Sequence, residues 1–142
     1  MRFVLCASAL YLSENPPIIS PQDLMQLRFL AFVFPASGRQ NPVRLSCGDE
    51  SVLIEQTPAM RFNSGGAYMA AAEAGLGFVA VPQCEAQALL ADGRLVQLLP
   101  QWRLASMPMS LVYPYSRRLS ARVRAFTEWA TITMGQDPLW RL

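Results

Sequence analysis

Residues 61–99, "RFNSGGAYMAAAEAGLGFVAVPQCEAQALLADGRLVQLL", constrain the fold more than any other part of the chain. Glycine and proline cut this stretch into short alternating pieces. The spacing predicts a helix that opens at Ser64, an N-cap residue, and ends at Gly75, where a left-handed C′ position suits glycine. Residues 78–81 then read as a strand, and 82–92 as a helix with Ala86, Leu89 and Leu90 on one face. Gly93 closes that helix before "RLVQLL" returns as a strand. With "AMRF" in front, the pattern is strand, helix, strand, helix, strand. Alternation at this spacing predicts an α/β sandwich with a largely parallel sheet.

The flanking segments add elements to the same domain. Residues 3–7 read as a strand, and Pro16-Pro17 as an extended linker. Ser20 as N-cap, Pro21 at the first helical position and Asp23 in the first turn predict a short helix over 21–27. "RFLAFVF" reads as a buried strand and "SGRQNP" as a turn. "VRLSC" and "SVLIEQ" flank Gly48-Asp49 with the alternation of a strand pair. "MSLVYP" reads as a further strand. Ser120 caps a final helix whose Val123, Phe126, Ala130 and Met134 form one apolar stripe. A chain of 142 residues, 52% apolar, has enough core for one domain.

The inventory of reactive side chains excludes many functions. All twelve basic residues are arginine, and the chain has no lysine or histidine. Ser-His-Asp and Cys-His couples, histidine-bearing zinc sites and Schiff-base lysines are therefore ruled out. The acids are scattered, with no paired acid and base. The residues call for no metal, no cofactor and no catalysis. A net charge of +2 does not argue for nucleic acid or an anionic membrane. Cys6, Cys47 and Cys84 are odd in number and widely spaced, and read as reduced apolar fillers; a redox pair is the sharper alternative. "MRFVLCASALYL" imitates a signal peptide, but its apolar run before Ala9 is too short, and a strand explains the same letters. With no membrane-length apolar run, a cytoplasmic protein is expected.

"VLCASALYLSENPPIISPQDL", "RFNSGGAYMAAAEAGLGFVAVP", "GRLVQLLPQW" and "LVYPYSRRLSARVRAFTEWA" follow one another in that order. Together they resemble the effector-binding domain of LysR-type transcriptional regulators, over nearly the whole chain. The resemblance implies the type II periplasmic-binding-protein fold: two α/β lobes joined by crossover strands, with an inducer in the cleft between them. It divides the chain into a crossover strand (1–8), effector-binding lobe two (9–104), and a return crossover strand with the C-terminal helix of lobe one (105–142). One nearly complete lobe and a remnant of the other are expected. The winged helix-turn-helix and the first half of lobe one have no counterpart in these residues, so no DNA binding is expected of the chain itself. The terminal helix would then lack its own lobe as a partner, which favours a homo-oligomer over a helix folded back on lobe two.

The resemblance places the turn Asn63-Ser64-Gly65-Gly66 at the cleft. The first turn of a helix carries N–H groups without intrahelical partners, together with partial positive charge. Glycines leave those groups uncovered, so an anionic small-molecule effector would dock there. The plainer alternative is a serine cap that only satisfies its own helix. Arg117, Arg118, Arg122 and Arg124 read as a solvated face, and Trp102 as the seal of a lobe edge. The expected function is a non-catalytic sensor module, with a free-standing solute-binding protein of the same fold as the alternative.

Overall fold

A computed structural model describes residues 1–40, 42–113 and 120–137. At the centre of the main sheet lies β1 (Phe3–Ser8), with β6 (Val79–Pro82) and β7 (Leu95–Leu98) antiparallel on its two sides. The helix α3 (Gln83–Ala91) joins β6 to β7, so those two strands run the same way with β1 wedged between them. On the far side of β6, Phe78 and Phe29 form a parallel bridge leading into β2 (Leu30–Phe32), which pairs in parallel with β5 (Met60–Phe62). The resulting order is β7-β1-β6-β2-β5.

The expected largely parallel sheet is thus corrected in part. The strands linked by helices do share one direction, as a crossover connection requires. The strand β1 comes from an earlier stretch with no crossover helix to either neighbour, and it runs against them. A second, wholly antiparallel sheet has β3 (Val43–Cys47) between β4 (Glu50–Ile54) and β8 (Arg103–Leu104). Its hairpin turns at Gly48, whose φ of +56° is the left-handed geometry glycine adopts without strain.

Burial explains why β1 sits in the middle. Leu5 and Ala7 face one core with Leu24, Leu27, Phe29 and Phe78, under the second sheet and the short helix. Val4 and Cys6 face the other core with Val79, Val81, Ala72 and Ala86, under α2 (Gly65–Glu73) and α3. A strand covered on both faces reads as a continuous apolar run, as "FVLCAS" does. Ala71 and Ala72 are buried, and their small side chains let α2 lie close on the sheet.

Two details differ from expectation. The helix predicted over 21–27 is a 3-10 helix, Pro21–Gln26. The Asp23 carboxylate reaches back to the N–H and hydroxyl of Ser20 (2.8 and 3.0 Å) and the N–H of Ile19 (3.0 Å), and these bonds hold its pKa below the ordinary value. Second, residues 109–113 of "MSLVYP" pair with no strand of the described residues; Pro114 falls outside the described residues. The segment before them is nonetheless tied to the start of β1. The Met107 N–H donates to Met1 O (3.0 Å), and the Met1 ammonium donates to Met107 O (2.9 Å).

The final helix, α4 (Ala121–Gln136), is capped as expected by Ser120, whose Oγ accepts from Val123 N at 3.3 Å. Ala130 is buried, and Val123 and Met134 are half-buried. Phe126 is 57% exposed, beside Trp129 at 60%, in keeping with a stripe that lacks its own lobe as a partner. Arg122 and Arg124 are solvated as expected, while Arg117 and Arg118 lie outside the described residues.

The close packing of β6 on β2 depends on one residue without a side chain. A Cβ on Gly77 would overlap the Arg28 carbonyl oxygen and press on Leu30 Cγ at 3.1 Å. Gly77→Ala is expected to destabilise the domain by about 2–3 kcal/mol through this backbone clash. The shift of a urea melt reads it, and a loss below about 0.5 kcal/mol would show that the strands part freely.

Candidate functional site

The candidate site lies where the main sheet is interrupted. Along β6 and β2 the parallel ladder runs from Phe78 N to Arg28 O (2.9 Å), then from Leu30 N to Phe78 O (3.0 Å). The next rung of such a ladder would join Ala80 N to Leu30 O. The Tyr68 hydroxyl stands in its place, accepting from Ala80 N (3.0 Å) and donating to Leu30 O (3.0 Å). Tyr68 comes from the first turns of α2 and is only 4% exposed, with Phe32 and Phe62 against its ring at 5.8 Å. Burial pushes its phenol pKa well above the ordinary value, so it remains a neutral donor and acceptor.

Beyond that rung lies a cavity of about 510 Å³, lined by Phe32 and Ala80 among others. This volume falls in the range of small-molecule sites. The walls are mainly carbon, supplied by Phe3, Phe29, Phe34 and Tyr68 together with Met107 and Pro108 of the return segment. Two charged side chains take part, Arg44 from β3 and Glu85 from the first turn of α3.

Of the four residues singled out from the sequence, Gly65 lines this cavity; Asn63, Ser64 and Gly66 are exposed beside it. Ser64 Oγ accepts from Ala67 N at 3.5 Å, so the hydroxyl caps its own helix, as the plainer alternative held. The N–H groups of Gly65 and Gly66 have no partner among the described residues. Sequence reasoning missed Tyr68, Arg44 and Glu85. Glu85 carried one signal, as an acid in the first turn after Pro82, while nothing local marks Arg44 within a strand. Glu85 also bears on the expected anion. Its Oε2 lies 4.0 Å from the position a Cβ would take on Gly65, so a negative charge already stands beside the turn.

The Trp102 side chain is half-buried against the apolar core, the position of an edge seal rather than of a ligand platform, and its backbone N–H donates to Leu99 O at 2.8 Å. Cys6 is fully buried, and desolvation pushes its thiol up to about 12, so it stays a protonated apolar filler. Cys47 and Cys84 are half-buried rather than buried, and all three thiols are free.

The profile of the family described as "LysR substrate binding domain" matches residues 1–134. An HTH-type transcriptional repressor of Pseudomonas aeruginosa is 34% identical over 137 residues, covering 94% of this chain and 42% of that protein. The HTH-type transcriptional regulator YhjC of Escherichia coli is 30% identical, covering 96% of this chain and 46% of that protein. The chain therefore spans less than half the length of these relatives. Among solved structures, the regulatory domain of AphB from Vibrio vulnificus is similar with a TM-score of 0.70 at 24% identity, covering 92% of this chain and 65% of that one.

If the Tyr68 hydroxyl holds β2 and β6 apart, Tyr68→Phe strands the buried Leu30 carbonyl and the part-buried Ala80 N–H. The expected cost is about 1–3 kcal/mol, read as a lower midpoint in urea. An unchanged midpoint would mean that the strands close the rung themselves.

Proposed function

The chain belongs to the LysR substrate-binding-domain family and has its α/β, type II periplasmic-binding-protein-like fold, and from this premise we propose that it is a non-catalytic sensor module. In this reading a small-molecule effector enters the cavity against lobe two. Its anionic group meets the N–H groups of Gly65 and Gly66, with Asn63 and Ser64 forming the rest of the turn. The single observation that carries the reading is that Gly65 lines a carbon-walled cavity while its own N–H lacks a partner among the described residues. Both helix-terminal partial charge and uncovered donors favour an anion there.

Several consequences follow for the chain as a whole. Residue chemistry without lysine or histidine supports binding rather than turnover. The relatives reported above are transcriptional regulators, which favours a sensor over a free-standing solute-binding protein and a cytoplasmic setting over a secreted one. The described residues include no helix-turn-helix, so these residues alone bind no specific DNA sequence. Phe126, Trp129 and Ile132 are 57%, 60% and 59% exposed on α4, and Val112 nearby is 93% exposed. An apolar surface of this extent fits association, and a homo-oligomer is the form we propose.

Binding, stability, gel-shift and sedimentation measurements check these statements. Gly65→Val should screen the N–H groups and weaken an anionic ligand by about tenfold or more, while Ser64→Ala should cost about 1 kcal/mol of stability and less affinity. A ligand whose binding ignores Gly65→Val, or a sequence-selective, salt-resistant gel shift by the chain, would sink the reading. Sedimentation at micromolar concentration should show a dimer, and a clean monomer with a protease-resistant α4 would instead establish the fold-back.

A further inference from the structure

We infer that the effector carries a secondary amide, held as a guest peptide unit between β2 and β6 in the rung of the sheet beyond Tyr68. This inference rests on the sensor reading above for the cavity as the effector's seat, and adds the group by which the cavity recognises it.

The open rung follows from the ladder. Phe78 donates to Arg28 O and accepts from Leu30 N, as the middle residue of a parallel bridge does. Ala80 is the next residue of β6 to face β2, and its two backbone groups are due to Leu30 O and Phe32 N. The Tyr68 hydroxyl relays the first of these bonds. The second is not made, since no bond joins Phe32 N to Ala80 O among the described residues. Phe32 does not spend that N–H on β5, because Val33 is the residue that donates to Phe62 O there (2.7 Å). Alternate residues of such a strand turn their backbone groups to opposite neighbours. Ala80 O has only a long bond from the phenol, at 3.4 Å, and a carbonyl has room for a second donor.

The rung after that is closed to β6 altogether. It would need an N–H from Pro82, which has none, so Phe32 O has no strand partner on that side either. Phe32 and Ala80 are both half-buried, and both line the cavity. The parallel ladder therefore ends on unfilled groups of two facing strands, and it ends at the cavity wall.

The directions of those groups select the guest. Phe32 offers a donor and Ala80 an acceptor from opposite sides of the gap. A trans secondary amide points its C=O and N–H in opposite directions, so one such group serves both. A carboxylate has acceptors only and would set an oxygen against Ala80 O, while an ammonium has nothing to offer Phe32 N. A hydroxyl can serve both but spans one atom. The phenol of Tyr68 already fills the gap where it is that narrow, and past it the strands border about 510 Å³. An apolar substituent on the amide would cover the carbon walls at Phe29 and Phe34 and displace water from them.

N-Benzylacetamide and benzyl acetate share one shape and differ in a single N–H replaced by oxygen. Proton–nitrogen NMR of the 142-residue chain should show Phe32 N–H exchanging freely with solvent, unlike Leu30 N–H. N-Benzylacetamide should shift the Phe32 resonance, slow its exchange about tenfold or more, and bind about tenfold tighter than benzyl acetate. A Phe32 N–H as protected as that of Leu30 in the free chain overturns the open rung. Silence from N-benzylacetamide overturns the amide, and so does benzyl alcohol acting on Phe32 as strongly, which would assign the rung to a hydroxyl. If amide and ester bind equally and both shift Gly65, Ala80 and Met107, the amide falls and the cavity stands as the effector site. If N-benzylacetamide shifts only residues away from the cavity, the sensor reading's placement falls together with this one.

Discussion

The hydroxyl of Tyr68 is the contact on which the site depends. Two strands that begin as parallel neighbours, bonded through Arg28, Phe78 and Leu30, would continue their ladder by default. Backbone donors and acceptors inside a core must find partners, so a ladder cannot simply stop. A phenol is suited to interrupt it, because one oxygen both accepts from Ala80 N and donates to Leu30 O. The interruption leaves no buried backbone group unpaired at that rung, and the cavity lies just beyond it. The phenol is held in turn by Phe32 and Phe62 against its ring. Binding space and core packing thus meet on one side chain.

The position of α2 follows from the same contact. Its N-terminus is aimed at the cavity because Tyr68, in its first turns, is pinned between β2 and β6. Its body lies flat because Ala71 and Ala72 let the helix approach β1 and β6. The C-terminus is fixed by Gly75, whose φ of +77° ends the helix over Ser8 and Tyr11. A longer side chain at the alanine positions would lift the helix, and the phenol would then miss the gap between the strands.

Much of this was readable in the letters because it is written locally. Caps at Ser64 and Ser120, left-handed glycines at Gly48, Gly75 and Gly93, and the turn-bounded strands all depend on a few adjacent residues. The LysR-type resemblance was carried by four such signatures at family-like spacing. What escaped is non-local. The direction of β1 is set by which strands flank it, and these lie some seventy to ninety residues away in sequence. Tyr68 looked like one more apolar residue of a small-residue helix, since nothing beside it announces an open rung between two other strands. Arg44 and Glu85 meet the cavity from β3 and α3, so their shared role exists only after folding. The turn 63–66 was legible as a place with uncovered donors, but the carboxylate beside it was not.

Stability is distributed unevenly along the chain, and the asymmetry has a physical cause. Residues before Trp102 close two apolar cores on the faces of one strand, and their helices rest on those cores. A helix of sixteen residues on its own is marginal in water, and in folded proteins packing of an apolar face supplies most of its stability. The helix α4 has its serine cap and one buried alanine, while Phe126, Trp129 and Ile132 remain more than half exposed. Hydration of those three side chains forgoes about 25 cal/mol for each Å² left wet, a loss comparable to a sizeable share of a small domain's ~5–15 kcal/mol. The return segment that leads to this helix also walls the cavity at Met107 and Pro108, where it is bonded to Met1. The least self-sufficient element is therefore joined to the edge of the binding site, and a surface that covers α4 would also steady that wall.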